Sequence, residues 1–576
     1  MVKQARWAAG AAAALSATLL STGVSMAAAR PAKVPFNNTV VMALPPQINI
    51  NWYFPIVDVP ANSLYSAWLW NMAYSSLIHL NNKGGFDWKT SIASHVGKNP
   101  QGTVYTVTMN KKWHWSNGKP VTSANVLTTW KLIQDTSMKN APAPWPYTGA
   151  GTGGIPANIK SITAQGPYKF TVTLKSPANQ AWFMYSGLNQ LEPLPSVWLK
   201  YNNPVQEDKW LAKAATNPNL PEYKIIDGPY QLVQAVNNQK WVFQANPKYD
   251  GHKPQVARII FAYQGSSQAE YAALRKGQIQ FGYLPSSMWK ARRQLDSTYR
   301  LALFYPLQYN DMLVNMNQGK TAANTAPHGV AKLFNQLYIR QAVQLGIDQP
   351  AINKVSFNGN GIDEFTSITA KPKTVFFPQG LKARYPFNPA RGKKILQQHG
   401  WKEVNGVMTK GKQTLSFTLD YASGTHWMTD EVTLIKQGLA QEGIQVKLVP
   451  ETFNTLIALH PNQWEMMDYG GITYGGSYPS GDGLFQTPGV GLNSQGYYNP
   501  KMVKLIKASL KPYPTVKQGL AALYKYMDYV ASDLPMQFTP DAASYYETIK
   551  SLHGTMSTFN PFTQYPAPQY WYYSGK

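Results

Sequence analysis

Cysteine is absent from the 576 residues of the chain. Without cysteine the protein forms no disulfide, no thiolate nucleophile and no cysteine-ligated zinc site. The thiol on which a lipoprotein anchor would be built is missing as well. We therefore expect a protein that is not a lipoprotein.

Acidic residues are the second shortage. The chain has 28 Asp and Glu against 53 Lys and Arg, a net charge of +25. The basic count is near normal for this length, so the charge comes from missing acids. Basic residues are scattered, in runs no longer than pairs such as Lys111-Lys112 and Lys393-Lys394. Because nucleic-acid-binding surfaces cluster their basic residues, we expect no nucleic-acid partner.

Long hydrophobic runs are also rare. Lys3 and Arg6 precede the apolar stretch "AAGAAAALSATLLSTGV", and "SMAAAR" follows with small residues suited to cleavage. This order predicts a signal peptide over residues 1–29 and an extracytoplasmic protein, in the periplasm or outside the cell envelope. A retained membrane anchor is the weaker alternative. No later segment approaches the roughly 18 apolar residues of a membrane span.

Hydrophobic and aromatic residues are plentiful, at 44% and 13%. A chain of this length and composition is expected to fold into about two to four domains. One α/β unit is clear: "TLSFTLDY" (414–421) alternates as a strand, "MTDEVTLIKQGLAQEG" (428–443) has helical periodicity, and "IQVKLVP" (444–450) is a second strand. Such a βαβ unit joins parallel strands and places loops for a ligand at their carboxyl ends.

The stretch "WHWSNGKPVTSANVLTTW" (113–130) follows an alternating, strand-like run. Asn117-Gly118 predicts a tight turn, and Thr122 is placed as the N-cap of a helix. A capping box prefers Glu or Gln three residues past the cap, where this chain has Asn125. Asn388-Pro389 predicts a second helix start, with Gly400 at that helix's end.

Motifs of catalysis are weak throughout. Gly149, Gly151 and Gly154 have dinucleotide-loop spacing but follow a proline-rich loop instead of a buried strand. The nine histidines show no metal-site spacing, no Gly-x-Ser-x-Gly occurs, and nothing marks Asp468 and Asp482 as a catalytic pair. We expect no enzyme, no metal and no cofactor. A secreted hydrolase of polysaccharide or peptide is the main rival hypothesis, and an envelope or scaffold protein is a third.

Five segments, in order, resemble landmarks of one family, the extracytoplasmic solute-binding proteins of ABC transporters that include oligopeptide-, dipeptide- and nickel-binding proteins. "WSNGKPVTSANV" is similar to the signature "WSDGxPVTAEDV". The other four are "DGPYQL" with "ANPKYDG", "ALRKGQIQ", "YIRQAVQLGID" and "YPFNPARGKKILQQHGW", at 227–251, 273–280, 338–348 and 385–401.

The resemblance implies an α/β, two-lobed periplasmic-binding-protein-like fold of three domains, with a hinge and an inter-lobe cleft. By the family's layout, lobe I takes 30–58, 181–300 and 540–576, with domain Ib inserted at 59–180, and lobe II takes 301–539. It also implies a monomer that closes over an oligopeptide or similar extended solute and delivers it to membrane permease subunits. An oligosaccharide ligand is the alternative within the family.

Where the family pattern has an acid, this chain has Asn117, Ala124, Asn125, Gln278, Gln280 and Asn388, and four of these six are the amide of the corresponding acid. A carboxylate whose hydrogen bonds depend on ionisation loses that stabilisation as pH falls through its folded-state pKa, whereas an amide does not. We therefore hypothesise that the protein is acid-adapted. Drift or selection for a basic surface is the alternative.

Ligand identity is affected by one further departure. Peptide-binding members carry an Asp that pairs with the peptide's α-amino group, and Ser477 falls at that place in "GGSYPSG". Because a hydroxyl cannot neutralise an ammonium, a free N-terminus would need another partner, such as Asp468 or Asp482. The predicted ligand-binding residues, with Asn49 to Trp52 as a strand-like edge, are Asn49, Trp52, Tyr421, His426, Trp427, Phe453, Tyr474 and Ser477. His460 is a weaker candidate.

Overall fold

The computed structural model describes residues 38–285, 288–474, 477–489 and 492–574. The predicted signal peptide, residues 1–29, lies outside these ranges. Within them, no helix combines the length and the apolar character needed to cross a membrane.

The first sheet holds seven strands and is built from both ends of the chain. Thr39–Ala43 runs parallel to Arg258–Ala262 at its centre, and a hairpin that turns at Asn237-Asn238 forms its edge. The strands, in spatial order, are Tyr299–Phe304, Ser544–Ile549, Phe281–Gly282, Thr39–Ala43, Arg258–Ala262, Lys240–Ala245 and Tyr230–Val236.

The second sheet contains the predicted βαβ unit. Ser416–Ala422 pairs in parallel with Gln445–Glu451, and helix His426–Gln441 connects them, so this prediction is confirmed to within two residues at every end. The path of the sheet is Gln445–Glu451, Ser416–Ala422, Met466–Asp468, Gln308–Val314 and Ile472–Thr473, with Gln537–Thr539 also paired to Gln308–Val314.

A third sheet and two small ones complete the strands. The third is antiparallel, in the order Ala93–Lys98, Val104–Met109, Lys169–Leu174 and Ile159–Ala164. The small sheets are Lys402–Val404, Val407–Lys410 and Gln413–Thr414, and Leu552–His553 with Tyr572–Tyr573.

Fifteen α-helices occur in the described residues, in both the N-terminal and the C-terminal halves of the chain. Their bounds are Leu64–Ala73, Ser123–Thr136, Gln180–Trp182, Pro204–Ala215, Ser267–Arg275, Trp289–Arg292, Val330–Phe334, Leu337–Leu345, Gln349–Ser356, Pro389–Gln398, His426–Gln441, Phe453–Ile457, Asp482–Phe485, Pro500–Ser509 and Val516–Asp533.

The helix starts predicted at Thr122 and Asn388 are both present, and amides serve them. Asn125 accepts the Thr122 backbone N–H through Oδ1 at 2.9 Å, which completes a capping box. Its Nδ2 donates to the Leu194 carbonyl at 3.3 Å, a bond that an aspartate could not make. Asn388 accepts the Arg391 N–H at 2.9 Å, with Pro389 at the first helical position.

The two main sheets define two lobes joined by two connections. The chain leaves the first sheet after Tyr299–Phe304 and enters the second at Gln308–Val314, and it returns between Gln537–Thr539 and Ser544–Ile549. The lobe containing the second sheet is called lobe II below, and the remainder, with the first and third sheets, lobe I. The predicted boundary at residue 300 lies inside a strand of the first sheet, so the sheets favour a boundary at 305–307. The other domain bounds stay predictions.

Candidate functional site

A cavity of about 1040 Å³ lies between the lobes. Residues of both lobes line it, and both connections lie near, since Gln308 and Ala542 belong to its wall. Its size suits an extended ligand of several chemical units, because drug-sized ligands fill pockets of roughly 300–1,000 Å³.

Lobe II contributes the carboxyl ends of its three parallel strands. Ser423 follows Ser416–Ala422, Phe453 follows Gln445–Glu451, and Gly470 follows Met466–Asp468, and all three line the cavity. Ligand sites of α/β sheets form at this edge. The loop beyond needs glycine at 471, because a Cβ there would lie 2.4 Å from the Tyr309 carbonyl oxygen.

Lobe I contributes three separate segments. Trp70 lies on helix Leu64–Ala73, and Tyr147 to Gly149 form a loop. Asn189 and Gln190 lie in the helical turn Leu188–Gln190, and Glu192 follows it. A Cβ on Gly149 would lie 2.2 Å from the Gln190 Oε1, so the last two segments pack closely. Because residue 149 is glycine, the loop can pack directly against the Gln190 side chain.

Four of the predicted ligand-binding residues line this cavity: Trp427, Phe453, Tyr474 and Ser477. Trp427 packs on Phe357, with ring centroids 5.5 Å apart. The Tyr474 hydroxyl donates to the Ser367 carbonyl, which fixes the ring, and the Ser477 N–H donates to the Tyr474 carbonyl at 2.7 Å. Contact of these four with a ligand stays a prediction.

The other four do not line the cavity. Asn49 bonds the turn at Asn238 through both atoms of its amide, each at 2.7 Å, and residues 49–52 form no strand. Trp52 is buried edge-on against Trp145. Tyr421 is buried in its strand, and His426 lies outside the cavity against the Gln268 side chain of lobe I. His460 begins a short 3₁₀ turn and is also absent from the wall.

The two carboxyls proposed as partners of an ammonium are placed differently. Asp468 is fully buried, is absent from the cavity wall, and has a pKa raised to about 7 by burial. Asp482 lines the cavity, but its oxygens accept from Trp182 Nε1 at 2.7 Å, Ser480 Oγ at 2.5 Å and Gly153 N at 3.3 Å. Burial raises the pKa of Asp482 also.

Contacts across the cleft hold the lobes together. Trp182 and Gly153 of lobe I bind Asp482 of lobe II, and the Tyr478 N–H donates to Ser186 Oγ at 3.0 Å. The Asn179 N–H donates to the Leu510 carbonyl at 2.7 Å. The structure is therefore one in which the cleft is closed over the cavity.

Sequence reasoning missed the lobe I wall. Trp70, Tyr185, Gln190 and Glu192 line the cavity from segments without a glycine-rich aromatic signal, whereas Tyr147 lies in the glycine-rich stretch "WPYTGAGTGG", which the sequence marks only as a loop. Glu192 carried a second signal, as an acid retained in a chain that has few.

The cavity wall is poor in charge. Among the described residues that form it, none is Lys or Arg, and the carboxyls are Asp87, Glu192 and Asp482. Burial raises the pKa of Glu192 to about 7. No group of three or more His, Asp or Glu within the described ranges is placed to hold a metal ion.

A two-lobed α/β fold with a closed inter-lobe cavity defines the periplasmic-binding-protein class. The family model of bacterial extracellular solute-binding proteins, family 5, middle region, matches residues 88–496. The chain belongs to this family.

Similar proteins agree with this. The oligopeptide-binding protein AppA of Bacillus subtilis is 24% identical over 491 residues, 83% of each chain. Its structure in complex with a nonapeptide superposes with a TM-score of 0.78 at 20% identity, over 93% of this chain and 99% of that one. The structure of NikZ of Campylobacter jejuni in complex with Ni(L-His) superposes with a TM-score of 0.73 at 15% identity, over 93% of this chain and 99% of that one. The similar proteins are named as binding proteins, and the structures show the same fold.

Proposed function

We propose that the chain is the extracytoplasmic substrate-binding component of an ABC importer. It captures an oligopeptide or similar small extended solute by hinge closure and delivers it to the membrane permease. The observation that carries this proposal is a cavity of about 1040 Å³ whose wall comes from both lobes, since a ligand that contacts both lobes favours the closed form.

Oligopeptides are the first ligand class to be tested, because the similar proteins include oligopeptide- and dipeptide-binding proteins. The protein acts as an exported monomer and holds its ligand without altering it. The surface shape of the closed form is what the permease recognises. A gene neighbourhood without permease and ATPase genes would count against delivery and favour a scaffold role.

Closure is tested by small-angle X-ray scattering of the protein with and without ligand. Native mass spectrometry of the protein as purified identifies a co-purified ligand by its mass. A smaller radius of gyration with ligand supports the proposal. Conversion of the ligand to a product in the same sample would contradict the proposal and favour the hydrolase hypothesis.

The cavity wall is tested by Trp427→Ala. We expect affinity to fall about tenfold or more, because buried aromatic anchors often account for 2 kcal/mol or more of binding free energy. His460→Ala, outside the wall, is the matched control and should leave affinity unchanged. Equal affinity of Trp427→Ala and the parent protein would place the ligand elsewhere.

A further inference from the structure

We infer that the ligand is an uncharged, hydroxyl-rich chain, a neutral oligosaccharide, rather than a peptide held by its charged ends. This inference rests on the proposed function and concerns the same cavity. Its basis is the chemistry of the wall, which offers neutral hydrogen-bonding groups and aromatic rings in a strongly basic protein.

The first step is the lack of a partner for a carboxylate. The chain has 53 Lys and Arg, yet none belongs to the described wall of the cavity. His79 is the one histidine of the described wall, and burial lowers its pKa, so a peptide C-terminus enclosed there would find no lasting positive charge. Such burial is costly unless a charge or several donors compensate it.

The second step is the scarcity of free partners for an ammonium. The oxygens of Asp482 already accept from Trp182, Ser480 and Gly153. Asp87 accepts the Lys89 N–H at 3.1 Å through one oxygen and lies near His79. The remaining carboxyl is Glu192.

Glu192 is placed to act as a neutral group. Its Oε1 is buried without a hydrogen-bond partner among the described residues, and the charged and titratable groups that face it are Tyr74, Tyr147 and Asp227, none of them cationic. Burial keeps it protonated in acidic solution, because its pKa is raised to about 7. A carboxylic acid both donates and accepts, as a ligand hydroxyl requires.

Glu192 is one of four unsatisfied polar groups in the wall. Trp70 Nε1, Thr148 Oγ1, Gln190 Oε1 and Glu192 Oε1 are all buried and lack a partner among the described residues. Buried polar groups are nearly always paired, so an unpaired set around a cavity indicates a ligand or ordered water. The four comprise donors and acceptors without net charge, which matches hydroxyl groups.

Aromatic rings supply the rest of the site. Trp70, Tyr147 and Tyr185 line it from lobe I, and Trp427 and Phe453 from lobe II. Sugar rings present apolar C–H faces to aromatic rings and hydroxyls to the polar groups between them. An extended oligosaccharide would therefore contact both lobes along its length.

The decisive experiment titrates the full-length mature protein by calorimetry with three probe sets. These are neutral oligosaccharides of glucose and of xylose, peptides with free ends, and the same peptides acetylated and amidated. We expect an oligosaccharide to bind and free-ended peptides to bind at least tenfold more weakly. Free-ended peptides that bind more tightly than their blocked forms, with closure in scattering, would overturn the inference and keep the proposed function. An absence of binding and closure with every probe would overturn both.

Glu192→Gln and Glu192→Leu separate a neutral role from a charged one. Gln keeps neutral donor and acceptor atoms, so affinity for the oligosaccharide should stay within about threefold, whereas Leu should lose about tenfold. Glu403→Gln, exposed and outside the wall, is the control. An equal loss in Gln and Leu variants, with Gln-variant melting unchanged, would show that charge matters and would overturn the inference.

Discussion

Three amide side chains accept a hydrogen bond from a backbone N–H at positions where the family pattern has an acid. They are Asn125, Gln280 and Asn388. Gln280 accepts the Val41 N–H at 2.9 Å and donates to the Gly277 carbonyl at 2.9 Å, so both atoms of its amide are bonded. These bonds do not depend on ionisation. The amides therefore support the hypothesis of acid adaptation at the scale of single residues.

Asn388→Asp tests this at an exposed helix start. A capping carboxylate has a folded-state pKa below its unfolded value, so its stabilisation is present above about pH 4 and is lost as pH falls. We expect the variant to match the parent at pH 7 and to lose about 0.5–1 kcal/mol at pH 2–3, measured by urea unfolding.

Asn388→Ala is the control for the cap itself. It should lose a similar free energy of unfolding at every pH, since no acceptor remains. If the Asp variant were as stable as the parent at pH 2, amide caps would give no advantage in acid and the hypothesis would fail at this position.

At the scale of elements, helix His426–Gln441 ends at a buried acid. Glu442 is fully buried, and both its oxygens lack partners among the described residues. Burial raises its pKa to about 9. Because the folded-state pKa lies above the unfolded one, the cost of Glu442 is absent below about pH 4 and grows as pH rises toward 9.

Glu442→Gln should therefore stabilise the protein at high pH alone. Relative to the parent, the free energy of unfolding should be unchanged at pH 3 and rise by up to about 1.4 kcal/mol per pH unit above about pH 4.5, measured by chemical denaturation. Glu403→Gln, an exposed partner of Lys393, should change it by less than about 1 kcal/mol. If Glu442→Gln changed the free energy of unfolding equally at pH 3 and at higher pH, the raised pKa assigned to Glu442 would be contradicted.

Sequence patterns predicted the elements better than the site. The βαβ unit and the starts at Thr122 and Asn388 follow from local periodicity and caps, which is why they were found. Gln190 lines the cavity packed against a loop distant in sequence, Tyr147 to Gly149, and no local pattern encodes that contact. Trp52 is the opposite case. It was predicted to bind the ligand, but its contact with Trp145 buries it in the core.

For the whole molecule, the acids that remain are mostly inside. Of the 28, Asp296, Asp363 and Glu403 are exposed, and the Asp528 side chain is 49% exposed in its ion pair with Arg384. Burial raises the pKa of several others, to about 7 for Asp208 and Asp541 and to about 6 for Asp58 and Asp420. The folded state thus binds more protons than the unfolded state between about pH 4 and pH 7.

Stability should consequently fall as pH rises through that window. The protonated form of each such group stabilises the folded state. This stabilisation is complete below the unfolded-state pKa near 4, and it is lost as pH rises through the raised folded-state pKa. We expect a melting temperature higher at pH 4 than at pH 8, measured by calorimetry at constant ionic strength. Unfolding below pH 4 would refute acid adaptation.

Closure should depend on Asp482, which joins the lobes. Asp482→Ala leaves Trp182 Nε1 without its partner in the closed form, so we expect ligand to reduce the radius of gyration less in the variant than in the parent. Ligand affinity should fall about tenfold or more, because charge-assisted hydrogen bonds contribute about 1.5–3 kcal/mol. Asp296→Ala, exposed on lobe I, is the control, and equal scattering curves for both variants would contradict this role.

The scarcity of exposed acids has a consequence for how copies of the protein meet. With an isoelectric point near 9.6 and almost no outer carboxylates to titrate, the surface keeps one sign of charge from strong acid to mild alkali. Neighbouring copies therefore repel one another across that whole span, and any anionic polymer that they meet attracts them.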